Sequence, residues 1–251
     1  VCSSDLPTCF CRKPHVLKRL THTRPPIYSI GIIIDVSMRL LYICSIKYSN
    51  IQVIIVLKVA AITNHELAAT NYWDQLEQIA ASDVDFIVLR EKTLSEDDYT
   101  DYAKRALRLC SIHQKTCILQ HFGKVAIRLH IPRFQCSLSY LESHSSLLYY
   151  MTTLGVSVHT VEEAVRAEQL GATYIMASHV FPTSCKPSDS PIGVDTVEAI
   201  CKAVKIPVYA LGGVTPTTVS QLHDVNITGV ALMSGLMTCP DVPEYLKELR
   251  S

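Results

Sequence analysis

The sequence predicts an α/β chain folded as a parallel eight-stranded (β/α)8 barrel. From about residue 52 onward, eight apolar runs alternate with segments of helical spacing. The runs are continuous rather than alternately polar, as strands buried on both faces are. The stretch 52–251 is about 200 residues long, the small end of the range for such barrels. A doubly wound open sheet is the runner-up. It would carry a Gly-x-Gly-x-x-Gly turn after its first strand, and this chain has none.

The elements follow in order. "QVIIVLKVAAITN" is the first strand, β-branched and apolar until its polar end. "NYWDQLEQIAAS" is a helix with Trp73, Leu76 and Ile79 on one side. "VDFIVLREK" is the second strand. Ser95 caps the next helix, whose first turn is acidic. "KTCILQHF" is the third strand, "KVAIRLHI" a short helix and "RFQCSL" the fourth strand. "SYLESHSSLLYYM" is a weak helix and "TLGVSVHT" the fifth strand. In "TVEEAVRAEQLG", Thr160 and Glu163 make a capping pair and Gly171 a stop. "ATYIMASHV" is the sixth strand, "VDTVEAICKAVK" a helix and "IPVYALGG" the seventh strand. "TPTTVSQLHDVN" reads as a helix with Pro216 in its first turn. "ITGVALMSG" and "CPDVPEYLKELR" complete the alternation.

Residues 1–51 break this regularity. They are expected to be an N-terminal extension, either disordered or the product of an over-extended reading frame. "VCSSDL" back-translates to the end of a common sequencing adapter. "PTCFCRKPHVLKRLTHTRPP" holds no sustained period. "YSIGIII" lacks a clear small-residue cleavage site, and Asp35, Arg39 and Lys47 interrupt it well short of the ~20 apolar residues of a membrane span.

Charge narrows the function classes. Lys plus Arg and Asp plus Glu number 23 each, so no net field draws nucleic acid or an anionic membrane. The ten cysteines are scattered without paired metal-ligand spacing. A chain this size needs no disulfide framework, so reduced thiols and a cytoplasmic location are expected.

Barrel active sites form at the carboxyl ends of the strands. That rule collects Arg90 and Lys92, Gln120 and His121, Gln135 and Ser137, Ser157 and His159, and His179 with Thr183, Cys185 and Lys186. Arg90 and Lys92 are two apart on a strand end, so both point into the mouth. Gly212 with Gly213, and Ser234 with Gly235, follow neighbouring strands. Their backbone N–H groups suit a phosphate, with the helix from Thr215 adding its positive end. His179 sits at the exit of a buried run, where catalytic groups sit.

"LREK", "GVSVHTVEEAVRAEQLGATYI", "HVFPTSCK", "IPVYALGGVTP" and "GVALMSGL" together resemble the thiamine phosphate synthase/TenI family of (β/α)8 barrels. The resemblance covers about residues 56–250 and is weakest over 120–150. It implies that Arg90, Lys92, Ser157, Thr183, Lys186, Gly212, Gly213, Met233, Ser234 and Gly235 bind a phosphorylated thiazole. The synthase branch joins a pyrimidine pyrophosphate to a thiazole phosphate. It uses Mg²⁺ held by aspartates after the third and fourth strands. Here those places hold Gln120-His121 and the region of Tyr140. Synthases also carry glycine-proline where this chain has His179-Val180, and a threonine where it has Cys185.

The TenI branch carries "HVF" and then "CK". The expected activity is therefore metal-independent tautomerisation of a thiazole carboxylate phosphate to its aromatic form, with His179 as acid and base and no cofactor. The alternatives are the Mg²⁺-dependent synthase and a non-catalytic binder of thiazole or thiamine phosphates. No nucleic-acid or membrane partner is expected, and homo-oligomerisation is left open.

Overall fold

The computed structural model describes residues 57–69, 71–183, 185 and 189–251. The N-terminal extension, the beginning of the first apolar run and Lys186 lie outside them. Eight strands form the barrel: β1 Lys58–Ile62, β2 Phe86–Leu89, β3 Thr116–Gln120, β4 Arg133–Ser137, β5 Thr153–Val158, β6 Tyr174–Ser178, β7 Val208–Leu211 and β8 Gly229–Leu232. All pair in parallel in chain order, and β8 returns to β1. The helices are α1 Tyr72–Ala81, α2 Glu96–Ile112, α3 Gly123–Arg128, α4 Leu138–Ser143, α5 Val161–Gln169, α6 Gly193–Ala203, α7 Ser234–Thr238 and α8 Val242–Leu249.

Two apolar layers explain the continuous apolar runs. Ala60, Ile62, Val88, Ile118, Met176 and Ala231 point inward and fill the barrel. Their neighbours Val59, Ala61, Ile87, Leu89, Leu119 and Ile175 point outward against the helices. Lower in the barrel, Phe86, Tyr174 and Tyr209 close the interior edge to face, with ring centroids 5.4–5.8 Å apart.

Side chains fix the helix starts. Asn71 accepts from the Trp73 N–H at 2.9 Å, and Ser95 from the Asp98 N–H at 3.1 Å. Thr160 accepts from the Glu163 N–H at 3.2 Å. The Glu163 carboxylate reaches back to the His159 N–H at 2.6 Å, one residue before the cap. Gly171 follows α5 with φ +92°, as its reading as a stop requires.

Two expected elements differ, and one helix is new. The helix expected over 215–226 is only a 3-10 turn at Val219–Leu222. The Thr218 hydroxyl accepts from the Thr215 N–H at 2.9 Å and donates to the Gly213 carbonyl at 2.9 Å, so local bonds outcompete the helix. "SYLESHSSLLYYM" divides into α4 and a 3-10 turn at Ser145–Tyr149. There the Ser143 hydroxyl bonds back to the Ser139 carbonyl at 2.8 Å. Helix α7 was absent from the sequence reading. It is anchored by fully buried Gln75, whose amide donates to the Leu236 carbonyl at 2.6 Å and the Cys239 carbonyl at 3.0 Å.

Candidate active site

The inward alternation sets the site. Continued to the strand ends, it brings Ile62, Arg90, Gln120, Ser137, Ser157, Ser178, Leu211 and Met233 to the carboxyl mouth of the barrel. All line a cavity of about 620 Å³ at the carboxyl ends of the strands. The same cavity is lined by Lys92, His159, His179, Thr183, Gly212, Gly213, Ser234 and Gly235. Of the described residues expected at the site, all line this cavity except Gln135, which is fully buried behind Ser157.

His179 is buried, with 3% of its surface exposed. It follows β6 across a cis Ser178–His179 peptide. Its Nε2 lies 3.3 Å from the Asp189 carbonyl oxygen. A carbonyl only accepts, so Nε2 carries a hydrogen and Nδ1 is the nitrogen left to exchange a proton with a ligand. The backbone around it is pinned: the Val180 N–H donates to the Leu211 carbonyl at 2.9 Å, and Phe181 to Gly212 at 3.0 Å.

Those contacts revise why glycines stand at 212 and 213. A Cβ on Gly212 would lie 2.2 Å from the His179 Cβ. One on Gly213 would lie 2.6 Å from the Phe181 Cβ and from the Pro182 carbonyl oxygen. Both also have positive φ, +95° and +68°. The glycines seat the loop that carries His179, in addition to lining the cavity. The helix expected to point at a phosphate from Thr215 is not formed. Ser234 and Gly235 instead open the short α7 at the cavity.

The polar lining is cationic and neutral. Desolvation lowers the pKa of Arg90, with nearby Glu91 opposing the shift. Arg90 Nη1 lies 3.7 Å from Met233 Sδ. Glu91, between the two cationic side chains, turns away from the mouth. It is 1% exposed and accepts from the Thr63 hydroxyl at 2.5 Å and the His65 N–H at 2.8 Å, with His65 Nδ1 2.7 Å away. Fully buried Gln135 donates through Nε2 to the Ser157 hydroxyl at 3.0 Å, leaving the Ser157 proton to turn toward the cavity. His159 Nδ1 lies 3.2 Å from the Glu163 carboxylate, an exposed pair at the rim. Among the described lining residues there is no Asp or Glu. No metal-capable group of three or more His, Cys, Asp or Glu occurs among the described residues.

Several lining residues were not anticipated from the sequence, among them Met176, Cys239 and Tyr245; Tyr140, the place matched to a synthase aspartate, also lines the cavity. Met176 was recoverable from inward alternation along β6. Tyr245 lies on α8, far from any strand end, and only packing of α8 against Gly235 brings it there. Cys136 also lines the cavity, and burial pushes its thiol up to about 12, so it stays protonated. Among the described residues, no helix is long and apolar enough to cross a membrane.

Comparison with known proteins adds the lineage. The family model described as thiamine monophosphate synthase matches residues 59–236. Thiamine-phosphate synthase 2 of Streptococcus pneumoniae is 29% identical over 205 residues, covering 78% of this chain and 96% of that protein. Thiamine-phosphate synthase of Lacticaseibacillus paracasei is 31% identical over 184 residues, covering 70% and 85%. The solved thiamine phosphate pyrophosphorylase of Pyrococcus furiosus superposes with a TM-score of 0.68 at 25% identity, covering 78% of this chain and 95% of that one. These names favour the synthase alternative over the tautomerase reading placed first from the sequence. On the matched span and the shared barrel, the chain belongs to the thiamine monophosphate synthase family.

Proposed function

We propose that this chain acts in thiamine biosynthesis as a metal-independent proton-transfer enzyme, converting the exocyclic-alkene form of a thiazole carboxylate phosphate into its aromatic tautomer. The observation that carries this reading is the absence of carboxylates among the described cavity-lining residues, around a buried histidine. Mg²⁺ is a hard cation that takes carboxylate and phosphate oxygens. At the ends of β3 and β4 this site offers Gln120, His121, Ser137 and Tyr140, which are poor partners for it. These residues do not fit the ion that the coupling reaction needs.

An imidazole titrates near pH 6.5 when unperturbed, so it both takes and gives a proton near neutrality. His179 is placed to exchange one through Nδ1. Arg90 and Lys92 supply positive charge for the substrate's anionic groups. Gln135 orients the Ser157 hydroxyl as a donor. Aromatisation favours the product, so positioned proton transfer suffices without a redox group.

The second reading is the synthase, favoured by the names of the relatives. One experiment separates the two. The purified full chain is assayed for tautomerisation in EDTA, and for coupling of a pyrimidine pyrophosphate to a thiazole phosphate with Mg²⁺. Turnover in EDTA supports the first reading; Mg²⁺-dependent coupling alone supports the second.

A further inference from the structure

Tautomerisation of this kind moves protons at two different carbons. A ring C–H bond breaks and its electron pair becomes a ring double bond. The double bonds shift along the ring, and the outer carbon of the exocyclic alkene gains a proton. One proton leaves and one enters. His179 is a single imidazole on one side of the mouth, so the second proton needs another group.

We infer that His121, at the end of β3, is the second proton-transfer residue, taking the ring proton while His179 protonates the exocyclic carbon. The inference rests on the proposed function above. Its support is positional and chemical. His121 lines the same cavity as His179. The two follow β3 and β6, which are not neighbours in the closed barrel, so they approach a bound ring from different sides. Its backbone has φ +79°, a conformation costly for a residue that is not glycine and one that recurs at functional sites. Its ring packs edge to face on Phe122, with centroids 4.6 Å apart. Its nitrogens make no hydrogen bond or ion pair with the described residues, so both are open to a ligand.

The electrostatics suit a base. Burial lowers the His121 pKa, and Lys92 and Arg90 lower it further, so the ring is uncharged at neutral pH. The same two cations that attract an anionic substrate hold the imidazole ready to accept. For the protons to balance, His179 enters the cycle as the imidazolium, with Nε2–H held by the Asp189 carbonyl and Nδ1–H as the acid. After one turnover it has given up the Nδ1 proton and His121 carries the ring proton, and exchange with water restores both.

The test uses the full chain in D₂O with the exocyclic-alkene thiazole carboxylate phosphate as substrate. His121→Asn is the main variant, because asparagine tolerates positive φ. His121→Gln is the second, in case the first fails to fold. Turnover should fall by roughly 10²–10⁴-fold in either variant, with binding of the aromatic product little changed by calorimetry. Washout of the ring hydrogen should persist in His179→Asn and vanish in the His121 variants. Wild-type turnover by a folded His121 variant, or washout that survives in it, overturns this inference alone. No wild-type turnover at all overturns the proposed function and this inference with it.

Discussion

Replacing Gly212 by alanine tests the packing that holds His179. The new Cβ would lie 2.2 Å from the His179 Cβ and 2.9 Å from its Cα. Ordinary carbon contacts begin near ~3.5 Å, so the two residues must part by roughly 1 Å. The φ of +95° adds a conformational cost of about 1–2 kcal/mol for an L-residue. Overpacking adds about 1–3 kcal/mol. Together these lower stability by about 2–5 kcal/mol, a fall of about 4–20 °C in Tm for a domain of this size. A roughly 1 Å displacement of the imidazole should also cost about 10²-fold in turnover.

Gly193→Ala is the matched control. Its φ is +77°, but a Cβ there meets nothing within 4 Å. It should lose only the conformational part and keep its turnover. Thermal melts and initial rates on both variants read the difference. Equal stability and equal turnover in the two would refute the claim that Gly212 seats His179.

His179→Asn should cut turnover by roughly 10²–10⁴-fold while product affinity, read by calorimetry, stays near wild type; His159→Asn, at the exposed rim, should have a smaller effect. Glu91→Ala should destabilise by about 2–4 kcal/mol in urea titrations, because it leaves the buried Thr63 hydroxyl and the His65 N–H without their acceptor. At pH 8 an alkylating reagent should label exposed Cys185 quickly. It should spare Cys136, whose thiol burial pushes up to about 12, until the chain unfolds; peptide mapping reads both. The depressed His121 pKa means the unfolded chain binds that proton at higher pH than the folded one. Stability should therefore fall as pH drops below about 6.5, and His121→Asn should flatten that slope in denaturant titrations.

The barrel was legible because its signal is repeated. Each strand is an apolar run buried on both faces, and each pairs with the next. The site was legible where inward alternation runs on past a strand: Arg90, Ser157 and Met233 are reached by period two alone. His179 sits one step out of that alternation, and its placement at the cavity depends on the turn after Ser178 and on the absence of a side chain at Gly212. The helix expected after Gly213 failed because threonine hydroxyls took the backbone partners a helix would use. Helix α7 stayed hidden because five residues leave little periodicity, and its anchor, Gln75, comes from α1. Tyr245 entered through packing between distant elements, which no local pattern encodes.

The most direct test of the central claim measures tautomerisation of the exocyclic-alkene thiazole carboxylate phosphate by the purified full chain in EDTA, beside His179→Asn. The account predicts turnover that is unchanged by removing divalent ions and reduced by roughly 10²–10⁴-fold in the variant. No tautomerisation, together with Mg²⁺-dependent formation of thiamine phosphate that survives His179→Asn, would contradict it.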